Sequence, residues 1–354
     1  MKILYFTNCA FSKFPSYKRA TGTGTELARL GHRVFIALED CEENRQRFPI
    51  EAPGCEALWV KAGNPICEAW HKLRMLWEIQ PDYLYSLSYS FRNLQFMSWL
   101  FPRKTRYILE VCELYSAYRF MWKFKEWMMI VEADRLLCAS RYLARVFMRR
   151  IFCRHIGRCQ VLYQPYAYPR YLVPNDVPKR DAVVYVAYMS KGYGCIIIME
   201  AFERIHEKHS GVVLEMLGTG PDFNEMKRWV DEHRAADYIH LRGYVPEAKL
   251  NNYFSRALVF MAPMRNAKTE IARCPSKMFY YLPFEKPIVT CKIGNPYDIL
   301  GENGYYYKPL DVADMANALD CALRDSRTFK YPSGFMARHS WEARAIEFAK
   351  WLEQ

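Results

Sequence analysis

The chain starts the same folding pattern twice. KILYFTN (2–8) is a short β-rich run ending in polar residues, and after a loop a helical stretch from Tyr17 to Leu30 closes at Gly31 before the next strand, RVFIAL (33–38). A glycine just past the last helical turn is a helix stop, and strand–loop–helix–strand order opens a doubly wound sheet of parallel strands. PDYLYSLS (81–88) and TRYILEVCEL (105–114) read as further strands with a helix between them. Pro165 to Pro178 then holds four prolines and no periodicity, which reads as a linker. Beyond it the pattern restarts with strand AVVYVAY (182–188), a glycine-containing loop, helix CIIIMEAFERIHEKH (195–209) and strand VVLEMLG (212–218). The turn GTGPD (218–222), a helix, the strand YIHLRG (238–243), the strand ALVFMAP (257–263), a helix around Lys277 to Pro283 and the strand KPIVTC (286–291) complete it. Ser340 to Leu352 is one amphipathic helix. The expected division is a first domain over 1–172, a linker over 173–181, a second domain over 182–335, and a final helix over 336–354 that packs back toward the first domain.

Composition narrows the class. Hydrophobic residues make up 51% of the 354 and charged residues 25%, as in a globular protein. No apolar run reaches the roughly 18 residues that span a bilayer. The start reads directly as a strand, so the expectation is a protein neither exported nor membrane-spanning. Twelve cysteines are scattered singly with no Cys-x-x-Cys pair, which predicts free thiols rather than a zinc site. The net charge of +12 is lopsided: Met1 to Pro178 carries 26 Lys and Arg against 16 Asp and Glu, and the remainder 24 against 22. A field concentrated in one half favours a polyanionic partner: nucleic acid, anionic lipid or a phosphorylated substrate.

The motifs of the second half, taken in order, resemble the donor half of family-4-type glycosyltransferases of the GT-B fold. VVYVAYMSKGYGCIIIMEAF is similar to that family's strand, phosphate loop and helix; VVLEMLGTGPD to its strand with a Gly-x-Gly-Pro turn; and YIHLRGYVPEAKLNNYFSRALVFMAP to its block with a Gly-Tyr-Val-Pro loop. PSKMFYYLPFEKPIVT and GENGYYYKPLDVADMANAL resemble its Asn-Lys-Leu-x-Glu-Tyr and Glu-Asn-Gly blocks, and ADRLLCASRYLARVF its segment before the linker. The resemblance implies two Rossmann-like domains facing a cleft. The first would be acceptor-side and the second would bind a nucleotide-sugar. The implied activity is sugar transfer from a UDP- or GDP-sugar to a glycolipid or polysaccharide acceptor, with retention, without a metal and without a cofactor.

A nucleotide-sugar is a diphosphate with a sugar leaving from it, so a site must hold two negative charges and stabilise the charge that develops on the leaving phosphate. Glycine loops and helix N-termini supply N–H groups, and Lys or Arg the counter-charge. Lys191, Gly192 and Gly194 lie between a strand and a helix, where phosphate loops sit. The family has Arg and Lys in this loop; aligned without gaps those positions are Tyr188 and Tyr193, with Lys191 two residues off. Lys277 matches the family's helix-start lysine. Of the family's two glutamates seven residues apart, the second aligns with Tyr280 and the first with Ala272, two residues from Glu270, which takes the sugar-contacting role after a small loop shift. Tyr280 then donates to ribose or packs. Gly218, Thr219 and Gly220 turn at the carboxyl end of a strand, and Gly243, Tyr244 and Val245 form the loop that meets the base through its backbone, a readout that leaves UDP and GDP alike. Glu113, in Glu110-Val111-Cys112-Glu113-Leu114, takes the Asp position of the family's acceptor loop and orients the acceptor hydroxyl or acts as base.

Seven arginines fall between Arg135 and Arg158, with Arg141, Arg145 and Arg149 four apart on one helical face. YRFMWKFKEWMMIV (118–131) mixes Arg119, Lys123 and Lys125 with Phe120, Trp122, Phe124 and Trp127, and FMSWLFPRKTR (96–106) does the same. Such mixing suits anionic lipid headgroups as well as an aromatic core face with a solvated basic one. It also suits single-stranded nucleic acid, but no nucleic-acid motif accompanies it and no such partner is expected. The expected location is the cytoplasm, at the inner face of the cell membrane. Two other readings stand beside an active transferase: a degenerate relative that binds a sugar nucleotide or a partner without turnover, suggested by the substituted Glu and Arg positions, and a basic binding module.

Overall fold

The computed structural model describes residues 1–7, 16–48, 52–153, 159–168, 181–190 and 194–354. The chain divides into two compact units, one of residues 1–169, 272–274 and 337–354, the other of residues 170–271 and 275–336.

The first unit holds a seven-stranded sheet of β1 (Lys2–Phe6), β2 (Arg33–Glu39), β3 (Cys55–Val60), β4 (Tyr83–Ser86), β5 (Arg106–Val111), β6 (Arg135–Cys138) and β7 (Gln160–Tyr163), in the order β3-β2-β1-β4-β5-β6-β7. Every neighbouring pair is parallel. Alternate residues enter opposite cores: Leu4, Phe6, Leu84, Leu109 and Leu136 on one face, and Ile3, Tyr5, Ile36, Tyr85 and Ile108 on the other. That two-residue alternation under helices on both faces is why these strands read as unbroken apolar runs.

The second unit repeats the design with β8 (Ala182–Val186), β9 (Val213–Leu217), β10 (Ile239–Gly243), β11 (Ala257–Ala262), β12 (Ile288–Cys291) and β13 (Tyr305–Tyr307), ordered β10-β9-β8-β11-β12-β13 and parallel throughout. Each sheet reverses its winding once, between β1 and β4 and between β8 and β11. The crevice at the carboxyl ends of the strands beside such a reversal is where open parallel sheets take ligands. Both units are thus Rossmann-like.

The link between β4 and β5 differs from expectation. No helix lies there; the chain makes two short 3-10 turns, Phe91–Asn93 and Ser98–Leu100. Leu94 and Phe96 adopt positive φ values of 63° and 64°, which no α-helix contains. The segment is held by side chains instead: Lys72 Nζ donates to Asn93 Oδ1 at 2.7 Å, and the Glu132 carboxylate accepts from the Phe96 amide at 3.0 Å and from Ser98 Oγ at 3.3 Å.

The final helix, Trp341–Glu353, starts at Ser340, whose hydroxyl caps Ala343 N. Its Ala345, Phe348, Ala349 and Leu352 are buried with Ile3, Tyr5, Val34 and Tyr85 of the first sheet. It lies against the helix Ser16–Arg29 so closely that a Cβ on Gly22 would come within 2.5 Å of the Trp341 indole. Glycine in mid-helix costs roughly 0.5–1 kcal/mol against alanine, and here it is the residue that lets the two helices touch. Gly22→Ala should therefore lower stability in urea unfolding by about 1–3 kcal/mol, the usual cost of overpacking. In a Trp341→Ala background the same substitution should become neutral or stabilising.

Candidate active site

In the second unit the loops leaving the carboxyl ends of β8, β9 and β10 are joined backbone to backbone. Ala187 N donates to Leu217 O at 3.0 Å, Met189 N to Thr219 O at 3.1 Å, Asp222 N to Met189 O at 3.2 Å and Gly218 N to Gly243 O at 2.7 Å. This contact leaves no room for side chains. Gly218 has φ 137°, and a Cβ there would lie 1.8 Å from Ala187 O; one on Gly220 would lie 2.2 Å from Met189 O. Gly218, Thr219 and Gly220 thus form a wall against the β8 loop. The adjoining loop of Gly243, Tyr244 and Val245 begins with φ 66° at Gly243 and presents an exposed Tyr244 and a half-buried Val245.

Gly194, at φ 67°, is the N-cap of the helix Cys195–His206 and faces Pro263 in the loop after β11. Lys191 and Gly192 lie outside the described residues. Lys277 opens the helix Ser276–Tyr281, and its ammonium group sits 4.3 Å from the centre of the Tyr185 ring on β8. Burial pushes the Cys195 thiol up, and Lys277 pulls it back down. The cation therefore acts on the first residue of the helix that follows the β8 loop. A helix N-terminus and an ammonium group are the kinds of group that an anion site uses.

Glu270 is buried on the short helix Lys268–Ala272 and accepts from Arg265 Nη2 at 3.4 Å. Ile271 beside it is pinned by Gly294, at φ 59°, where a Cβ would meet Ile271 Cα at 3.3 Å. Tyr280 is half-buried.

Two residues of this region escaped the reading of the sequence. Tyr281 is fully buried at the point where the sheet reverses. The β8–β11 ladder runs as far as Val184 and Phe260. Beyond it the Tyr281 hydroxyl accepts from Val186 N at 3.1 Å and donates to Met261 O at 3.2 Å, bridging the parting strands. Its ring stacks on Phe260 with centroids 4.2 Å apart. In the sequence it is one aromatic beside another. Arg265 is the second: its Nε is buried with no partner among the described residues while Nη2 holds Glu270. An arginine two residues past the proline that ends β11 was the signal.

In the first unit, Glu110 and Glu113 have separate fates. Glu110, at the end of β5, is buried; it accepts from Arg19 Nε at 2.9 Å, from the Tyr85 hydroxyl at 2.9 Å and from Cys112 Sγ at 3.0 Å. Arg19 also donates to Gln164 O at 3.0 Å and lies over the Tyr166 ring. Burial and the Glu110 charge both push the Tyr85 hydroxyl up, so it stays protonated and donating. This network fixes the turn from which the half-buried Glu113 projects, and the charge of Glu113 acts on Lys125. Arg119, Trp122, Lys123, Arg141, Arg145 and Arg149 are exposed, the last three on the helix Arg141–Cys153, whose Leu143, Ala144 and Phe147 face the core.

Residues 180–325 match the family described as Glycosyl transferases group 1. The segment resembles that family's domain. Among solved structures the whole chain is similar to HepE from Anabaena in complex with UDP and glucose, at 11% identity over 100% of this chain and 99% of that one with a TM-score of 0.74. It is similar to sucrose-phosphate synthase from Thermosynechococcus elongatus, at 14% identity over 100% and 99% with a TM-score of 0.76. It is also similar to a TarM variant from S. aureus in complex with fondaparinux, alpha-GlcNAc-glycerol and UDP, at 7% identity over 100% of each chain with a TM-score of 0.71. No curated protein matches by sequence. The chain has the GT-B fold, and the wall of glycines, the helix start and Lys277 all fall within the matched segment.

Two outcomes follow for the domain's stability. Tyr281→Phe strands a buried amide and a carbonyl, so urea unfolding should show a loss of about 1–3 kcal/mol. Gly218→Ala, which forces a Cβ onto a carbonyl oxygen, should cost more than Tyr281→Phe in the same assay.

Proposed function

We propose that this protein transfers a sugar from a nucleoside diphosphate sugar, UDP- or GDP-linked, to a hydroxyl group of a glycolipid or polysaccharide acceptor at the inner face of the cell membrane. The observation that carries the reading is the close backbone contact of the β8 loop with Gly218 and Gly220, with the Lys277 ammonium group over the β8 residue Tyr185. The complexes of HepE with UDP and glucose and of TarM with UDP favour UDP as the first donor to try.

In this reading the loop Lys191, Gly192 and Gly194 and the N–H groups of the helix start hold the diphosphate, and Lys277 neutralises the charge that grows as the bond from the sugar's anomeric carbon to the phosphate oxygen breaks. Arg265 pairs with Glu270 and keeps it oriented toward the sugar hydroxyls. Gly243, Tyr244 and Val245 meet the base through backbone groups, and Tyr280 reaches the ribose. The acceptor oxygen bonds to the anomeric carbon, its proton passes to a base for which Glu113 is the candidate, and the nucleoside diphosphate departs. Fixed cations and a helix dipole supply the stabilisation that a divalent ion gives elsewhere, so the proposed chemistry is metal-independent. Retention of anomeric configuration is part of the same proposal.

Initial rates of UDP- and GDP-sugar hydrolysis, with calorimetric titration of UDP and GDP, test this. Lys277→Ala should weaken nucleoside diphosphate binding by about tenfold to a hundredfold, as expected for a lost charge-assisted hydrogen bond. It should lower kcat/KM at least as much. Binding of neither diphosphate, or affinity unchanged in Lys277→Ala, would remove the proposal.

A further inference from the structure

The helix Lys123–Glu132 is apolar on both sides. Met129 and Ile130 are buried in the first unit's core, and Glu126 is buried between the Ser116 amide, at 2.8 Å, and Arg150. The opposite side carries Phe124, Trp127 and Val131, with Phe124 and Val131 exposed and Trp127 half-exposed, while Met128 at its edge still packs on that core. A helix packed on one side is expected to be polar on the other. The turn that leads into it is more open still: Phe120 is 75% exposed, Met121 85%, and Tyr118 and Trp122 are exposed beside them. Large side chains of this kind in contiguous exposure mark a contact surface.

Cations are threaded through the same surface. Tyr118 to Lys125 holds Arg119, Lys123 and Lys125 and no acidic residue. Lys123 Nζ lies 4.1 Å from the centre of the Phe120 ring, and Lys125 Nζ lies 4.0 Å from that of Tyr115 and 5.2 Å from that of Trp122. Lys123 and Lys125 occupy the first turn of the helix, the end whose dipole favours anions. Glu126 in the same turn is buried and spent on the Ser116 amide and Arg150, so the charge that this helix end turns outward is cationic. Arg150, which pairs with Glu126, ties the turn to the helix bearing exposed Arg141, Arg145 and Arg149. No described helix is long and apolar enough to cross a membrane.

We infer that the turn Tyr118–Trp122 and the outer face of the helix Lys123–Glu132 dock this protein on an anionic bilayer, with Phe120, Met121 and Phe124 entering the acyl boundary while Arg119, Lys123 and Lys125 meet phosphate headgroups. This rests on the membrane-acceptor reading above and assigns it a surface. A second copy of the chain fits less well, because a two-fold contact through this patch sets the same cations against one another. Apolar insertion and headgroup attraction each contribute to binding of this kind, so removing either weakens it.

Flotation with phosphatidylcholine vesicles, with and without phosphatidylglycerol, tests the assignment. The full-length protein should float with the anionic vesicles, less so as salt rises, and not with the neutral ones. Phe120→Ser/Met121→Ser should lose at least about tenfold in partitioning, because several buried methylene equivalents are removed, while thermal midpoint and UDP or GDP binding stay unchanged. Lys123→Ala/Lys125→Ala should flatten the salt dependence. Equal flotation with neutral vesicles, or partitioning of the serine variant equal to that of the parent, would overturn the inference. So would a dimer in light scattering that the serine variant splits. Failure to bind either diphosphate would instead count against the transferase reading and leave the vesicle result to stand alone.

Discussion

The second unit depends on one constraint: three strand ends meet where only glycine fits. The β8 loop, the Gly218–Gly220 turn and Gly243 share backbone hydrogen bonds of 2.7–3.2 Å, which consume the polar groups these loops would otherwise turn to solvent. Tyr281 completes the frame by tying Val186 to Met261 across the reversal of the sheet. With the loops fixed, the turn before the helix Cys195–His206 is framed by main-chain geometry, and the Lys277 ammonium group lies over the Tyr185 ring. Preorganised dipoles of this kind stabilise developing charge without reorganising during the reaction.

The first unit solves a related problem with charge. Burying Arg19 and Glu110 is costly unless every donor and acceptor is met, and the pair is satisfied by Tyr85, Cys112 and Gln164. Removing one partner would leave a buried charge unpaired, which makes the network an exacting way to fix the turn after β5. Glu113, three residues on, stands at the carboxyl end of its sheet, as the glycine turns do in the other unit. Both units therefore put their candidate chemistry at the same edge of a doubly wound sheet, supported in one by close-packed backbone and in the other by a buried ion pair.

Much of this was legible in the residues. Central strands such as AVVYV and ALVFMA are apolar from end to end because both faces are covered. Gly31 and the Gly-Thr-Gly-Pro turn punctuated them. The strand CEALWV went unread because it is a half-exposed edge strand whose apolar run is broken by Glu56. The helix expected between β4 and β5 failed because two left-handed residues and side-chain anchors at Asn93 and Glu132 outweigh local propensity. Within the candidate site, Gly218 and Lys277 were singled out by the motifs they sit in, and the structure places one in the close backbone contact and the other over Tyr185. Tyr281 was not singled out, since a hydroxyl that bridges two main chains looks, in sequence, like any buried aromatic residue. Arg265 was missed because its partner, Glu270, comes five residues later on a helix too short to predict.

In the proposed donor site the pyrophosphate of a nucleotide rests on the β8 loop, the Gly218–Gly220 turn and the start of the helix Ser276–Tyr281. Amide hydrogen exchange with and without saturating UDP, repeated with GDP, reports this directly. Slowed exchange is expected, confined to residues 187–197, 218–222, 243–246 and 276–278, with at least one of the two nucleotides. Protection elsewhere in the chain, with these four segments exchanging as they do without ligand, would contradict it.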